Sequence, residues 1–313
     1  MSRVTGWPHA FCHRFGVMTA GKWSSCIRRV RIALDMNIKY QYRDFSIELP
    51  AEHLFPSFQE KHKLYDRFLP HLCKYLAPGS TILDVGANCG YSLAAMYNSN
   101  KRLVFVCVEP DNVFVEFLRA NARRIREGDR EASITIIDSL VGKQIQSASL
   151  EGSGGTRRAV VSERAGCKSS KSVDDILAQC KCASVTLLKS DVDGFDYDVI
   201  DSAELLLDSC APMIFFECQF DQASQKAGYE RTISSLAAKG YIKWIIFDNY
   251  GEVVLRTNDM GAMGQLCDYL WRQNIGRSTR TIWYYDVLAA TAKDGALVDK
   301  VIDDYIAEDV GAP

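Results

Sequence analysis

Short, continuously apolar runs alternate along this chain with longer segments whose apolar residues recur every three or four positions. The first pattern reads as strands buried on both faces, the second as amphipathic helices. Strands are predicted over 81–84, 103–108, 134–137, 185–188, 213–216, 241–247 and 281–287. Helices are predicted over 54–76, 90–98, from Asp111 as an N-cap to about 125, and over 173–180, 196–207, 227–239, 260–274 and 291–308. Leu64, Phe68, Leu72 and Tyr75/Leu76 give the 54–76 segment its helical spacing, and Pro78-Gly79 ends it. Residues 40–49 read as a short hairpin or edge strand. Residues 151–172, rich in Gly, Ser and Arg, read as a loop or loose hairpin that would suit a lid. Such strand–helix repeats imply an α/β architecture, a mostly parallel sheet covered on both faces.

In such sheets ligands bind beyond the C-terminal strand ends. Acids stand at those ends: Asp84, Glu109, Asp138, Asp191 and Glu217. After the first strand comes a tight turn, in which Gly86 and Gly90 bracket Ala87, Asn88 and Cys89. Glycines let the backbone turn sharply and approach a ligand closely, and the helix that follows offers free N–H groups.

The turn lacks the G-x-G-x-x-G of nicotinamide dehydrogenases, and the chain has no phosphate-binding G-x-x-x-x-G-K-[ST]. Asp84 suits a cofactor with an ammonium group, which points to S-adenosylmethionine. Its carboxylate would meet N–H groups at the helix start. Glu109 would accept hydrogen bonds from both ribose hydroxyls, and Asp138 or Ser139 would meet adenine. Methyl transfer to a hydroxyl requires in-line placement and removal of the proton. Asp191 is the candidate base or substrate contact, and Lys189, on the same strand face, would tune a neighbour by its charge. Asp193 and Asp196 are read as supporting a helix N-terminus.

DVGANCGY at 84–91, VEP at 108–110, VDDIL at 173–177 and KSDVDGFDYDVI at 189–200 together resemble the FkbM-type methyltransferases. That family's fourth-strand motif is approximately K-x-D-V-E-G-x-E; here Asp193 and Asp196 replace its two glutamates. FFECQF at 215–220 and IIFDNYGE at 245–252 extend the likeness, which covers about residues 60–250. The resemblance implies a Rossmann-like class I methyltransferase fold, with a seven-stranded, mostly parallel sheet whose last strand is antiparallel. It also implies S-adenosylmethionine-dependent O-methylation of a hydroxyl on a sugar, glycan or polyketide. A sugar of a polysaccharide or lipopolysaccharide, or its precursor, is the expected acceptor. A secondary-metabolite hydroxyl and a non-catalytic cofactor-binding module are the alternatives. The organisation expected is a basic extension over 1–50, the methyltransferase domain over 51–290, and a C-terminal helix and tail over 291–313.

The net charge of −2 argues against nucleic-acid binding. No acid precedes Asp35, whereas Arg3, Arg14, Lys22, Arg28, Arg29 and Arg31 do, a distribution suited to a solvated tail or to an anionic membrane surface or glycan. The 11 cysteines form no repeating framework, and Cys180-Lys-Cys182 has no second pair, so a reducing, cytoplasmic setting is expected and zinc is not. Neither a signal peptide nor a membrane span is read in the chain. Oxygen donors at Asp191, Asp193 and Glu217 are compatible with Mg²⁺, although no metal is expected. Asp191-Val-Asp193-Gly194 lacks calcium-loop spacing, and Phe195 stands where a haloacid-dehalogenase phosphatase has Thr. Tyr250 is placed to stack on a sugar, while Trp244, Trp271, Trp283, Tyr284 and Tyr285 are expected in the core. His62 is expected on a helix surface or near the cofactor cleft.

Overall fold

A computed structural model describes residues 31–34, 36–143, 147–152, 158–161, 168–276 and 279–310. The basic positions before Arg31 and parts of the 151–172 segment lie outside the described residues.

The described chain opens with a hairpin of β1 (Ile38–Gln41) and β2 (Ser46–Leu49), then two short helices, α1 (Phe55–Lys61) and α2 (Phe68–Cys73). The single helix expected over 54–76 is thus broken. His62 leaves the helix in an extended conformation, and Asp66 takes φ +55°, which no helical residue adopts. The apolar spacing holds on the far side of the break, where Phe68, Leu72 and Leu76 are buried.

β3 (Thr81–Val85), α3 (Tyr91–Ser99), β4 (Val104–Val108), α4 (Asn112–Gly128) and β5 (Ser133–Ile137) follow the predicted alternation. Asp111 caps α4, accepting from the N–H groups of Val113 and Phe114. β6 (Leu140–Val141), β7 (Ser147–Glu151), β8 (Arg158–Val161) and β9 (Lys168–Lys171) make a small separate sheet in which β7 and β8 pair antiparallel. Part of the glycine-rich segment is therefore a hairpin.

α5 (Val173–Gln179) starts with a capping box between Ser172 and Asp175, and β10 (Leu187–Ser190) comes next. The helix expected over 196–207 is divided into α6 (Asp196–Asp201) and α7 (Glu204–Ser209). The remaining elements are β11 (Met213–Cys218), α8 (Ala223–Ala238), β12 (Tyr241–Asp248), β13 (Val253–Thr257), α9 (Met260–Asn274), β14 (Tyr285–Thr291) and α10 (Gly295–Val310). The last strand begins four residues later than its hydrophobicity suggests.

The main sheet has the order β13-β12-β14-β11-β10-β3-β4-β5. β5, β4, β3, β10 and β11 are parallel, and winding reverses between β3 and β10. β14 inserts antiparallel between β11 and β12. This is the expected Rossmann-like sheet, with one correction. It has eight strands rather than seven, because β13 turns back on β12 as an antiparallel edge.

Alternate residues of each strand feed separate cores. On one face Ile82, Phe105, Phe215 and Leu288 pack with side chains from α2, α3, α4 and α10. On the other Leu83, Val106, Phe216 and Val287 pack with α5 to α9. The N-terminal hairpin is tied to the first layer, since the Asn121 amide accepts from the Glu48 N–H and donates to the carbonyls of Glu48 and Cys89. Among the described residues no helix is long and apolar enough to cross a membrane. Their cysteines are all free, with Cys73, Cys89 and Cys107 buried.

Candidate functional site

A cavity of ≈ 600 Å³ opens at the C-terminal edge of β3, β4, β10 and β11, where the winding reverses. Gly86, Asn88, Glu109, Ser139, Lys189 and Asp191 line it. The structure therefore brings together six of the ten site residues expected from sequence. Asp84, Ala87, Gly90 and Asp138 are not among its lining residues.

The turn after β3 is held by its own backbone. The N–H groups of Gly86 and Ala87 donate to the Val108 carbonyl, and Gly90 N–H donates to Ala87. Gly86 has φ +75°, and a Cβ there would lie 2.0 Å from the carbonyl oxygen of Asp191. Backbone on both sides leaves no rotamer to relieve that overlap. Gly86→Ala is accordingly expected to combine the left-handed penalty of ~1–2 kcal/mol with displacement of the Asp191 loop. A lowered melting temperature together with weaker cofactor binding in calorimetry would show it; an unchanged protein would contradict the packing. Gly90 has φ +86°, and its Cβ would meet Leu118 Cδ1 at 2.8 Å.

Glu109 closes the turn. Its Oε2 accepts from Asn88 N–H and its Oε1 from Asp111 N–H, both at 2.8 Å. Burial pushes the carboxyl up to about 7, against the pull of those two N–H groups. Each oxygen retains a lone pair toward the cavity, as two adjacent hydroxyls would require. Ser139, beyond β5, donates to the Leu140 carbonyl, whereas Asp138 is ion-paired with Lys168.

Asp84 has other partners than a ligand. It is fully buried, Ser92 donates to its Oδ2 at 2.7 Å, and Lys189 Nζ stands 2.9 Å from its Oδ1. Lys189 also donates to the Gly86 carbonyl at 2.8 Å and lies 3.7 Å from Asp191 Oδ2. Burial alone would favour the neutral amine, but Asp84, Asp191 and Asp66 outweigh it and raise the lysine. The lysine is thus a fixed cation that joins the Gly86 turn to the Asp191 loop. Asp196 supports that loop from below. Its carboxylate accepts from Ser190 Oγ at 2.6 Å and from Tyr229. Burial raises it to about 7.

The far wall joins Glu217, expected at its strand end, to groups that strand-end reading overlooks. Asp66, Glu217, Asp286, Tyr65, Tyr91 and Tyr284 line it. Glu217 and Asp286 are register partners on β11 and β14. Asp286 begins its strand rather than ending it, because β14 runs antiparallel and starts at the ligand edge. An acid opening the run YDVLAA was the available signal. Burial raises Glu217 and Asp286 well above the ordinary carboxylate range, and Asp66 to about 7. The Asp66 side chain is exposed, although protein atoms crowd round it on the cavity wall. Tyr250 lines the cavity with its ring stacked on His62, 4.0 Å between centroids. Trp283 and Tyr284 also face the cavity instead of the core, whereas Trp244 and Tyr285 are buried as expected. Among the described residues, no group of three or more His, Cys, Asp or Glu is arranged to hold a metal ion.

The family described as the Methyltransferase FkbM domain matches residues 84–243, from the Asp84 turn through β12. The chain belongs to the FkbM methyltransferase family. The match spans the ends of β3, β4, β10 and β11 at the cavity and stops before β14. Among solved structures, the chain is similar to the methyltransferase FkbM from Methylobacillus flagellatus KT, with 14% identity over 68% of this chain and a TM-score of 0.39. It spans 44% of the length of that protein. It is similar also to the O-methyltransferase from Bacillus cereus in complex with SAH, with 12% identity, 72% and 80% of the two chains covered, and a TM-score of 0.41. The METTL16 MTase domain aligns at 13% identity over 88% of this chain and 82% of its own, with a TM-score of 0.45. No curated protein sequence matches the chain.

Proposed function

We propose that this FkbM-family protein is a cytoplasmic, S-adenosylmethionine-dependent O-methyltransferase. Its acceptor on this reading is a sugar hydroxyl of a polysaccharide or lipopolysaccharide, or of a precursor. The observation that carries the reading is the meeting of Glu109, the Gly86 turn and Asp191 at one edge of the cavity. S-adenosylmethionine, when bound, supplies a methyl group already activated by its sulfonium. Gly86, Ala87, Asn88 and Gly90 shape the turn that holds it, Glu109 accepts from the ribose hydroxyls, and Asp138 and Ser139 border the adenine. A helix leaves its first N–H groups without intrahelical partners, so Tyr91 and Ser92 at the start of α3 face the carboxylate end. Asp84 contributes through Lys189, which it anchors.

Asp191 keeps 39% of its side-chain surface exposed. There it orients the acceptor hydroxyl and takes its proton as the oxygen attacks. Lys189 remains protonated, positioning Asp191 and steadying its charge. A sugar fits the far wall because carboxyls accept from hydroxyls while the rings of Tyr65, Tyr91, Tyr250 and Trp283 cover its apolar faces.

Calorimetry with S-adenosylmethionine tests the cofactor assignment. Wild-type protein is expected to bind, and Glu109→Ala to bind about ten- to a hundredfold more weakly, because hydrogen bonds to a charged group contribute ~1.5–3 kcal/mol. Absence of binding by the wild type, or equal binding by the variant, would refute it. Mass spectrometry over a panel of nucleotide sugars and glycans tests the acceptor, since O-methylation adds one methyl group.

A further inference from the structure

The C-terminal edge of the sheet carries a row of carboxyls on one face. Glu109 ends β4, Asp191 follows β10, Glu217 lies near the end of β11, and Asp286 opens β14. Glu217 and Asp286 sit directly opposite each other. Like charges so placed repel unless protons or cations separate them. Asp66 adds a further acid from the turn between α1 and α2, and Asp193 another from the Asp191 loop. Six carboxyls thus line the cavity, against Lys189 as its lysine. That lysine is engaged with Asp84 and the Gly86 carbonyl at the cofactor end. At the far end Lys189 and Arg67 offset Asp66, and Lys189 offsets Asp286, only in part, while Glu217 keeps an orphaned oxygen. It is 8% exposed, it lines the cavity, and its Oε1 has no hydrogen-bond partner among the described residues. A buried carboxyl oxygen without a donor is costly unless a ligand supplies one.

We propose that Glu217, Asp286 and Asp66 form a subsite for a protonated amine on the acceptor, so that the substrate class is an amino sugar or a similar amino alcohol. An ammonium brings three donors and one positive charge, which answers both the orphaned oxygen and the like-charge pair. Tyr65, Tyr91 and Tyr284 wall the same space with rings that favour a cation. The amine would seat the acceptor while Asp191, nearer the cofactor turn, meets the hydroxyl. The inference rests on the methyltransferase reading for the orientation of the acceptor.

The test titrates glucosamine, glucose and N-acetylglucosamine into the full chain, alone and saturated with S-adenosylhomocysteine. Glucosamine is expected to bind about ten- to a hundredfold more tightly than either neutral sugar, as a charge-assisted hydrogen bond implies. Glu217→Gln should abolish most of that preference. Asp66→Asn, at an exposed turn position, serves as the second variant should the buried one fold poorly. Ammonium binding should also release protons. Glu217 faces Asp191, Asp193, Asp196 and Asp286, Asp286 faces Asp66, Asp191, Asp196 and Lys189, and Asp66 faces Asp191, Lys189 and Arg67; burial raises Glu217, Asp286 and Asp66, so these three hold protons that a cation displaces. Affinity should therefore fall as pH is lowered and protons compete with the ammonium for these carboxyls. Equal binding of charged and neutral sugars, no binding of any, or a preference untouched by both substitutions overturns the inference. So does loss of glucosamine binding on saturation with S-adenosylhomocysteine, which would give the carboxyls to the cofactor. Failure of S-adenosylhomocysteine itself to bind counts against the methyltransferase reading instead, while a surviving glucosamine preference would still support the subsite.

Discussion

Lys189→Met is expected to lower unfolding free energy by about 3–5 kcal/mol, the usual cost of stripping one partner from a buried ion pair. Lys189 is 3% exposed and Asp84 is fully buried, so the remaining carboxylate cannot recover its hydration. Methionine fills a similar volume, so cavity formation contributes little. The loss should concentrate on the charge. The double variant with Asp84→Asn should accordingly recover a large part of it, because an amide leaves no stranded charge. Urea unfolding of the three proteins measures both quantities. A single variant within about 0.5 kcal/mol of wild type, the range of ordinary surface substitutions, would show that the pair carries no such burden.

Asp191→Asn is expected to reduce kcat for methyl transfer by about 10²–10⁴, the range for loss of a positioned general base. The amide keeps the size of the side chain and the Asp191 N–H bond to the Val85 carbonyl, 3.1 Å long. It cannot take a proton at neutral pH. Binding of S-adenosylmethionine should change little, since Glu109 and the Gly86 turn are left in place. Single-turnover kinetics with an identified acceptor separate the two quantities. Equal rates for variant and wild type would remove Asp191 from the chemistry, and a loss confined to cofactor affinity would move it to the binding site.

Much of this arrangement is legible in the sequence because parallel strands end where ligands bind. The apolar runs locate β3, β4, β5, β10 and β11 within a residue or two, and the acids that follow them mark the edge. Three features escape for separate reasons. Asp84 reads as a ligand contact, but its partner Lys189 is 105 positions away, and spacing carries no trace of that contact. Asp286 escapes because its strand runs the other way, so the informative end is the first rather than the last. Asp66 is hidden inside a continuous helical period that His62 and Asp66 interrupt through backbone angles, and apolar spacing does not encode those.

The contact between Gly86 and the Asp191 carbonyl has a consequence for changing what the enzyme acts on. The turn proposed to hold the methyl donor and the loop proposed to present the base abut through main chain at Gly86, with the buried Lys189 side chain tying them together. On the proposed reading, a mutation that reshapes the Asp191 loop is expected to disturb donor binding too, so selectivity is poorly adjusted there. The opposite wall is built differently. It comes from the α1–α2 turn, the 249–251 turn resting on it, and the start of β14. Side chains at 65, 66, 283, 284 and 286 can be exchanged there without moving the donor turn. Libraries for altered acceptor preference belong on that wall, and natural divergence within the family would be expected to accumulate on it.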